Sequence, residues 1–279
     1  MRPRHALLFL AVLAACDRPV TPTLDPGYRE PIINGYLYRV EYYDWSVDYL
    51  RDVEVFDNSG FRMVPSVRIN SEELPAYSHT LTRHRYGDEK VFRVYRPYNL
   101  SVVHYWGEAF SRVTMPGSFE VTAPRADYIH GLDSTLAVTW KSSAGAQWYW
   151  LDLYCDFEFV DSLGDWDDFT LEFDTFVRDT FVVLPPRRVF PREVAELVEG
   201  DGSALVVAGY GPEIGPGDIG NVRGAGFGFF TAGNEPRERY FYVGAPPRAR
   251  RAATPDYRRG RLLARVRRQA AVDTASAPR

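Results

Sequence analysis

Trp148-Tyr149-Trp150-Leu151-Asp152-Leu153-Tyr154-Cys155-Asp156-Phe157-Glu158-Phe159-Val160 decides the fold class. Tyr149, Leu151, Leu153, Cys155, Phe157 and Phe159 occupy every second position and are all apolar or aromatic. A period of two is the signature of a strand with one face on a core. Cys155 shares that parity with Leu153 and Phe157, so it reads as a packed thiol rather than a nucleophile. Just upstream, Leu136, Val138 and Trp140 also alternate and are expected to face inward, ahead of a polar turn over 141–146.

Working outward, extended segments are expected at 31–43, 51–56, 61–69, 90–95, 100–106, 119–122, 169–176, 180–184, 204–210, 226–231 and 239–243. Turn signals separate several of them, among them Asp57-Asn58-Ser59-Gly60 and Met115-Pro116-Gly117. The one helix candidate is Pro191–Glu199, where a proline suits the first turn. Short strands at this spacing predict an all-β sandwich architecture.

The stretch from Asp133 to Val160 resembles the second and third strands of fibronectin type III and related immunoglobulin-like domains. Trp140 stands at the place of their buried tryptophan. The whole plan resembles uncharacterised bacterial lipoproteins built of two immunoglobulin-like modules. The run from Gly220 to Phe230 is similar to a closing segment of such surface proteins. The resemblance implies two tandem sandwich modules, residues 31–123 and 124–245, and no defined catalytic activity.

The amino terminus carries an address. Arg2 and Arg4 precede the apolar run Ala6–Ala15. About ten residues rising 1.5 Å each cannot cross a ~30 Å hydrocarbon core, so the run reads as a signal-peptide core. It ends in Leu13-Ala14-Ala15-Cys16, which resembles a lipobox. Residues 1–15 are therefore expected to be a lipoprotein signal peptide. Cys16 is expected to carry the lipid, palmitate-type acyl chains included, and residues 16–30 to form a tether. This expectation makes the membrane a partner and places the body in the cell envelope. Asp17 leaves inner and outer membrane both open.

With Cys16 acylated, Cys155 has no disulfide partner, so the core alone holds the fold. The 45% hydrophobic and 15% aromatic fractions exclude a globally disordered chain. The formal net charge of −4 hides a split: residues 246–279 hold ten Arg against Asp256 and Asp273, which leaves residues 16–245 at −14. An acidic body with a basic tail argues against nucleic-acid binding, which needs a basic folded surface. The stretch Arg258–Arg268 is compatible with a basic amphipathic helix or with a disordered terminus.

Three groups of residues bear on chemistry. Trp148, Trp150, Asp152 and Tyr154 lie on the face opposite Cys155. They form an open aromatic platform suited to a ligand such as a sugar ring, or they pack under the other half of the chain. Asp161, Asp165, Asp167 and Asp168 are oxygen-bearing candidates for Ca²⁺, without EF-hand spacing. His79, His84, His104 and His130 lack zinc-site spacing, so no metal is assigned. No GxSxG, P-loop or dinucleotide motif is present. The expected function is a non-catalytic envelope binding or structural module without a cofactor, partnered by an envelope protein or a glycan. The alternative is a carbohydrate-binding or calcium-dependent surface module.

Overall fold

A computed structural model describes residues 30–57, 64–125, 129–131, 134–161, 163–189, 194–212 and 220–243. The stretch expected to be a signal peptide, Cys16, the expected tether and the basic tail lie outside the described residues. The strands of the first half are β1 (Ile32–Glu41), β2 (Val47–Phe56), β3 (Ser66–Ile69), β4 (Glu72–Glu73), β5 (Ala76–His79), β6 (Arg83–Asp88), β7 (Pro97–His104) and β8 (Gly107–Thr114). The order β1-β2-β6-β5 forms one layer and β4-β3-β7-β8 the other. This is the strand order of an immunoglobulin-type sandwich. Alternating residues from both layers meet inside, among them Ile33, Leu37, Val53, Val55, Val67, Leu100, Val102 and Val113.

The second half holds β9 (Val121–Ala123), β10 (Ile129–His130), β11 (Leu136–Trp140), β12 (Trp148–Asp161), β13 (Trp166–Val177), β14 (Phe181–Leu184), the short helix α1 (Pro186–Val189) and β15 (Val194–Tyr210). It closes with β16 (Arg223–Gly224), β17 (Phe227–Glu235) and β18 (Arg239–Val243). Here β9-β11-β14 faces β13-β12-β15-β18, again an immunoglobulin-like arrangement. Every expected inward residue of β12 is buried, and Cys155 is fully enclosed. Leu136, Val138 and Trp140 are buried too, with the Trp140 ring 5.5 Å from that of Tyr149. Burying each such side chain contributes about 1.5–3 kcal/mol.

The two sandwiches interlock. β15 and β18 are neighbours in the second sandwich, yet the chain between them leaves it and builds β16 and β17. β17 lies parallel to β1, from Ile32↔Phe227 to Val40↔Glu235, and β16 adds to β8. Phe230, Ala232 and Val222 are thereby buried in the first core. Because β17 also pairs β15, the two halves share one continuous ten-stranded sheet. Asn234 fixes the junction: its Nδ2 donates to the carbonyl of Gly117 at 2.7 Å, and its Oδ1 accepts from Arg39 at 3.0 Å.

β17, although it lies within 124–245, fills the first core with Phe230 and Ala232. Two sequence expectations need correction. The helix expected over Pro191–Glu199 is replaced by strand from Val194, where Leu197 and Glu196 pair with Phe159 and Val160 of β12; residues 191–193 lie outside the described ones. Residues 90–95 are not a strand, whereas Arg83–Asp88 is. β6 escapes an apolar pattern because Arg83 and Arg85 are polar by design of their partner, both reaching the buried Glu54 carboxylate on β2. Among the described residues no helix is long and apolar enough to cross a membrane.

Candidate functional site

The outward face of the shared sheet carries the aromatic residues singled out in the sequence. Trp148, Trp150, Asp152 and Tyr154 alternate with the buried side of β12 and are half-buried. They are neither fully open nor sealed under the first sandwich. Phe176 of β13 stands opposite Trp150 and is 56% exposed, so the aromatic patch reaches solvent. Phe176 meets the Trp148 ring edge-on at 5.4 Å. The Trp150 indole donates to Asp174 at 3.2 Å.

Pairing registers place a second aromatic wall across from the first. Reading along one row of the sheet, Trp148 pairs Gly209, Gly209 pairs Gly233, and Gly233 pairs Tyr38. The two glycines are covered, because a ring lies on each of them. A Cβ on Gly209 would come within 2.1 Å of the Trp148 ring, and one on Gly233 within 2.6 Å of the Tyr38 ring. Aromatic cover of a strand glycine restores the packing that the missing side chain forfeits. Trp148 is held in place by its Nε1 donating to the Gly211 carbonyl at 3.0 Å.

Acid groups border these rings. Glu235, at the end of β17, is 8% exposed and accepts a hydrogen bond from the Tyr38 hydroxyl at 2.7 Å. Burial pushes the Glu235 carboxyl up to about 8; the Tyr38 bond opposes that, and the charges of Glu238 and Asp152 add to it. Tyr38 is held well above the ordinary tyrosine range by burial and by Glu235. The site therefore combines a neutral buried carboxyl at pH 7, the nearby Asp152, and two aromatic walls. Such a surface can stack a flat apolar ring and offer hydrogen bonds to its polar edge.

Tyr38 and Glu235 were not singled out in the sequence. They lie 197 positions apart and meet only through the parallel β1–β17 ladder. The one local signal was glycine inside strand patterns, which marks a close approach by another group.

The calcium candidates are arranged differently. Asp161 Oδ1 accepts the amides of Leu163 and Asp165 at 2.8 and 2.9 Å, and Asp167 Oδ1 accepts the amide of Asp168. These carboxylates shape the β12–β13 turn. Among the described residues no group of three or more His, Cys, Asp or Glu is placed to hold a metal ion. Cys155 is sealed in the second core, where burial pushes its thiol up to about 12.

No family model matches the chain, and no curated protein matches it. Solved structures similar to this chain include two at low identity. Tandem Ig repeats of Dlar share 12% identity, covering 73% of this chain and 99% of theirs, with a TM-score of 0.24. Fibronectin(III)-like modules of Clostridium thermocellum CbhA share 9% identity, covering 80% of this chain and 99% of theirs, with a TM-score of 0.22. Superposition that loose carries no argument, and the fold assignment rests on the strand order and the two cores.

Proposed function

We propose that the chain is a non-catalytic binding module of the cell envelope, anchored through lipid on Cys16 and engaging its ligand on the outward face of the shared sheet. The observation that carries the reading is the aromatic strip that Trp148 and Tyr38 form over Gly209 and Gly233, flanked by Trp150, Phe176, Asp152 and Glu235. Contiguous aromatic surface with fixed polar groups is characteristic of binding sites rather than of inert exterior. The strip lies where the two sandwiches share a sheet, so rigid strands rather than loops hold its geometry.

The ligand is an envelope protein segment or a glycan. The glycan reading is favoured by the indole of Trp150 lying among the carboxylates of Asp152 and Asp174, since ring stacking plus carboxylate acceptors suits a sugar's apolar face and hydroxyls. Calorimetry with soluble oligosaccharides and envelope peptides tests it on the parent protein and on Trp150→Ala. Truncating a central aromatic of this kind weakens binding about tenfold or more. A ligand bound equally well by both proteins contradicts the assignment of this face.

A further inference from the structure

We propose that the chain's own basic segment Arg259–Arg267 docks as an added strand on the open edge of β13. Among the described residues the only ladder of β13 is with β12, which leaves one long edge of Trp166–Val177 without a strand partner. Edges of this length are normally covered or protected, because their free amides and carbonyls recruit other strands.

The two sides of β13 specify what fits beside it. Toward the core, Phe169, Leu171 and Phe173 remain 37% exposed or half-buried, so a neighbour with apolar residues on that side would complete their burial. Toward solvent, the same strand presents Asp168, Glu172 and Asp174. Residues 161–177 contain six acids and no basic residue. A second copy of β13 would set carboxylate against carboxylate, which disfavours self-pairing.

Residues 258–268 hold six Arg and no acid. Read with a period of two, Arg259, Arg261, Arg265 and Arg267 fall on one side, and Leu262, Ala264 and Val266 on the other. Laid against β13, the arginine side meets Asp168, Glu172 and Asp174, and the apolar side meets Phe169, Leu171 and Phe173.

The path is short. β18 runs in the same direction as β12, and its Tyr242 lies level with Asp201, Asp156 and Thr170. The chain thus leaves the sheet beside the acidic half of the β12–β13 hairpin. Reaching the far side of β13 means crossing four strand spacings, about 19 Å at ~4.8 Å each. The fifteen residues 244–258 extend to about 50 Å.

Hydrogen–deuterium exchange on the full chain, compared with a chain ending at residue 245, tests the proposal. Removing the tail is expected to speed exchange in 166–177 about tenfold or more, and to leave β11, β15 and β17 unchanged. The triple variant Arg261→Glu/Arg265→Glu/Arg267→Glu should reproduce that loss, and 1 M NaCl should weaken the protection in the parent. Leu262→Asn should also reproduce it while Leu263→Asn, on the arginine side, should not. Equal exchange in 166–177 with and without the tail overturns the proposal. So does an equal effect of the two leucine variants, which would mean a docked segment that is not a strand. Protection that rises with protein concentration assigns the docked strand to a second copy and overturns docking within one chain.

Discussion

Glu235→Gln should make the protein more stable as pH rises, and the effect can be sized from the site. The Glu235 carboxyl is pushed up to about 8 from an ordinary value of 4.5, chiefly by burial. Below about pH 4.5 the group is protonated in folded and unfolded chains alike and does not distinguish them. Between that point and about pH 8 the unfolded chain releases the proton while the folded chain keeps it. The unfolded state is then favoured by about 1.4 kcal/mol per pH unit, summing to roughly 4–5 kcal/mol. Stability present at low pH is therefore lost as pH climbs through this window. Glutamine keeps an oxygen to accept the Tyr38 hydroxyl but cannot ionise, so the variant escapes the loss. Thermal unfolding of both proteins at pH 5, 7 and 9 reads the difference, and titrations elsewhere cancel between them. The midpoints should nearly coincide at pH 5 and separate by roughly 10–15 °C at pH 9, with the variant higher. A gap that stays constant across pH would refute the reasoning, because it would mean that Glu235 ionises in the fold as it does in water.

Gly209→Ala should destabilise by about 2–4 kcal/mol, since the new methyl displaces the Trp148 ring and breaks its bond to the Gly211 carbonyl; denaturant unfolding checks the loss, and tryptophan emission should shift red. Phe230→Ala should cost about 3–5 kcal/mol although residue 230 lies far along the chain from the first sandwich. Residues 30–125 produced alone should fail to fold, as judged by amide chemical-shift dispersion, because β1 loses its parallel partner; a dispersed spectrum would contradict the interlock. Cys155 should resist thiol reagents until the protein unfolds, and labelling of the native protein within minutes would contradict its burial.

What could be read in advance was local. The alternation of β12 foretold its buried face residue by residue, because a strand between two covered neighbours obeys period two along its whole length. The inward set of β11 was legible for the same reason. The helix expected over Pro191–Glu199 shows propensity losing to pairing: Glu, Ala and Leu favour helix, but the ladder with β12 continues through Val194–Glu199. The crossing of β17 into the first sandwich left no local trace. Parallel pairing between Ile32–Val40 and Phe227–Glu235 depends on register across nearly the whole chain. Half of the candidate site was hidden with it: Trp148, Trp150 and Asp152 declared themselves by parity, whereas Tyr38 and Glu235 became neighbours only through that ladder.

The placement of this molecule at a membrane rests on the thiol at position 16, so mass spectrometry of the amino-terminal peptide from protein of its native host is the most direct measurement. The expected result is a chain that starts at Cys16 and carries the mass of attached acyl groups. A peptide retaining Met1, or beginning at an unmodified Cys16, would contradict it.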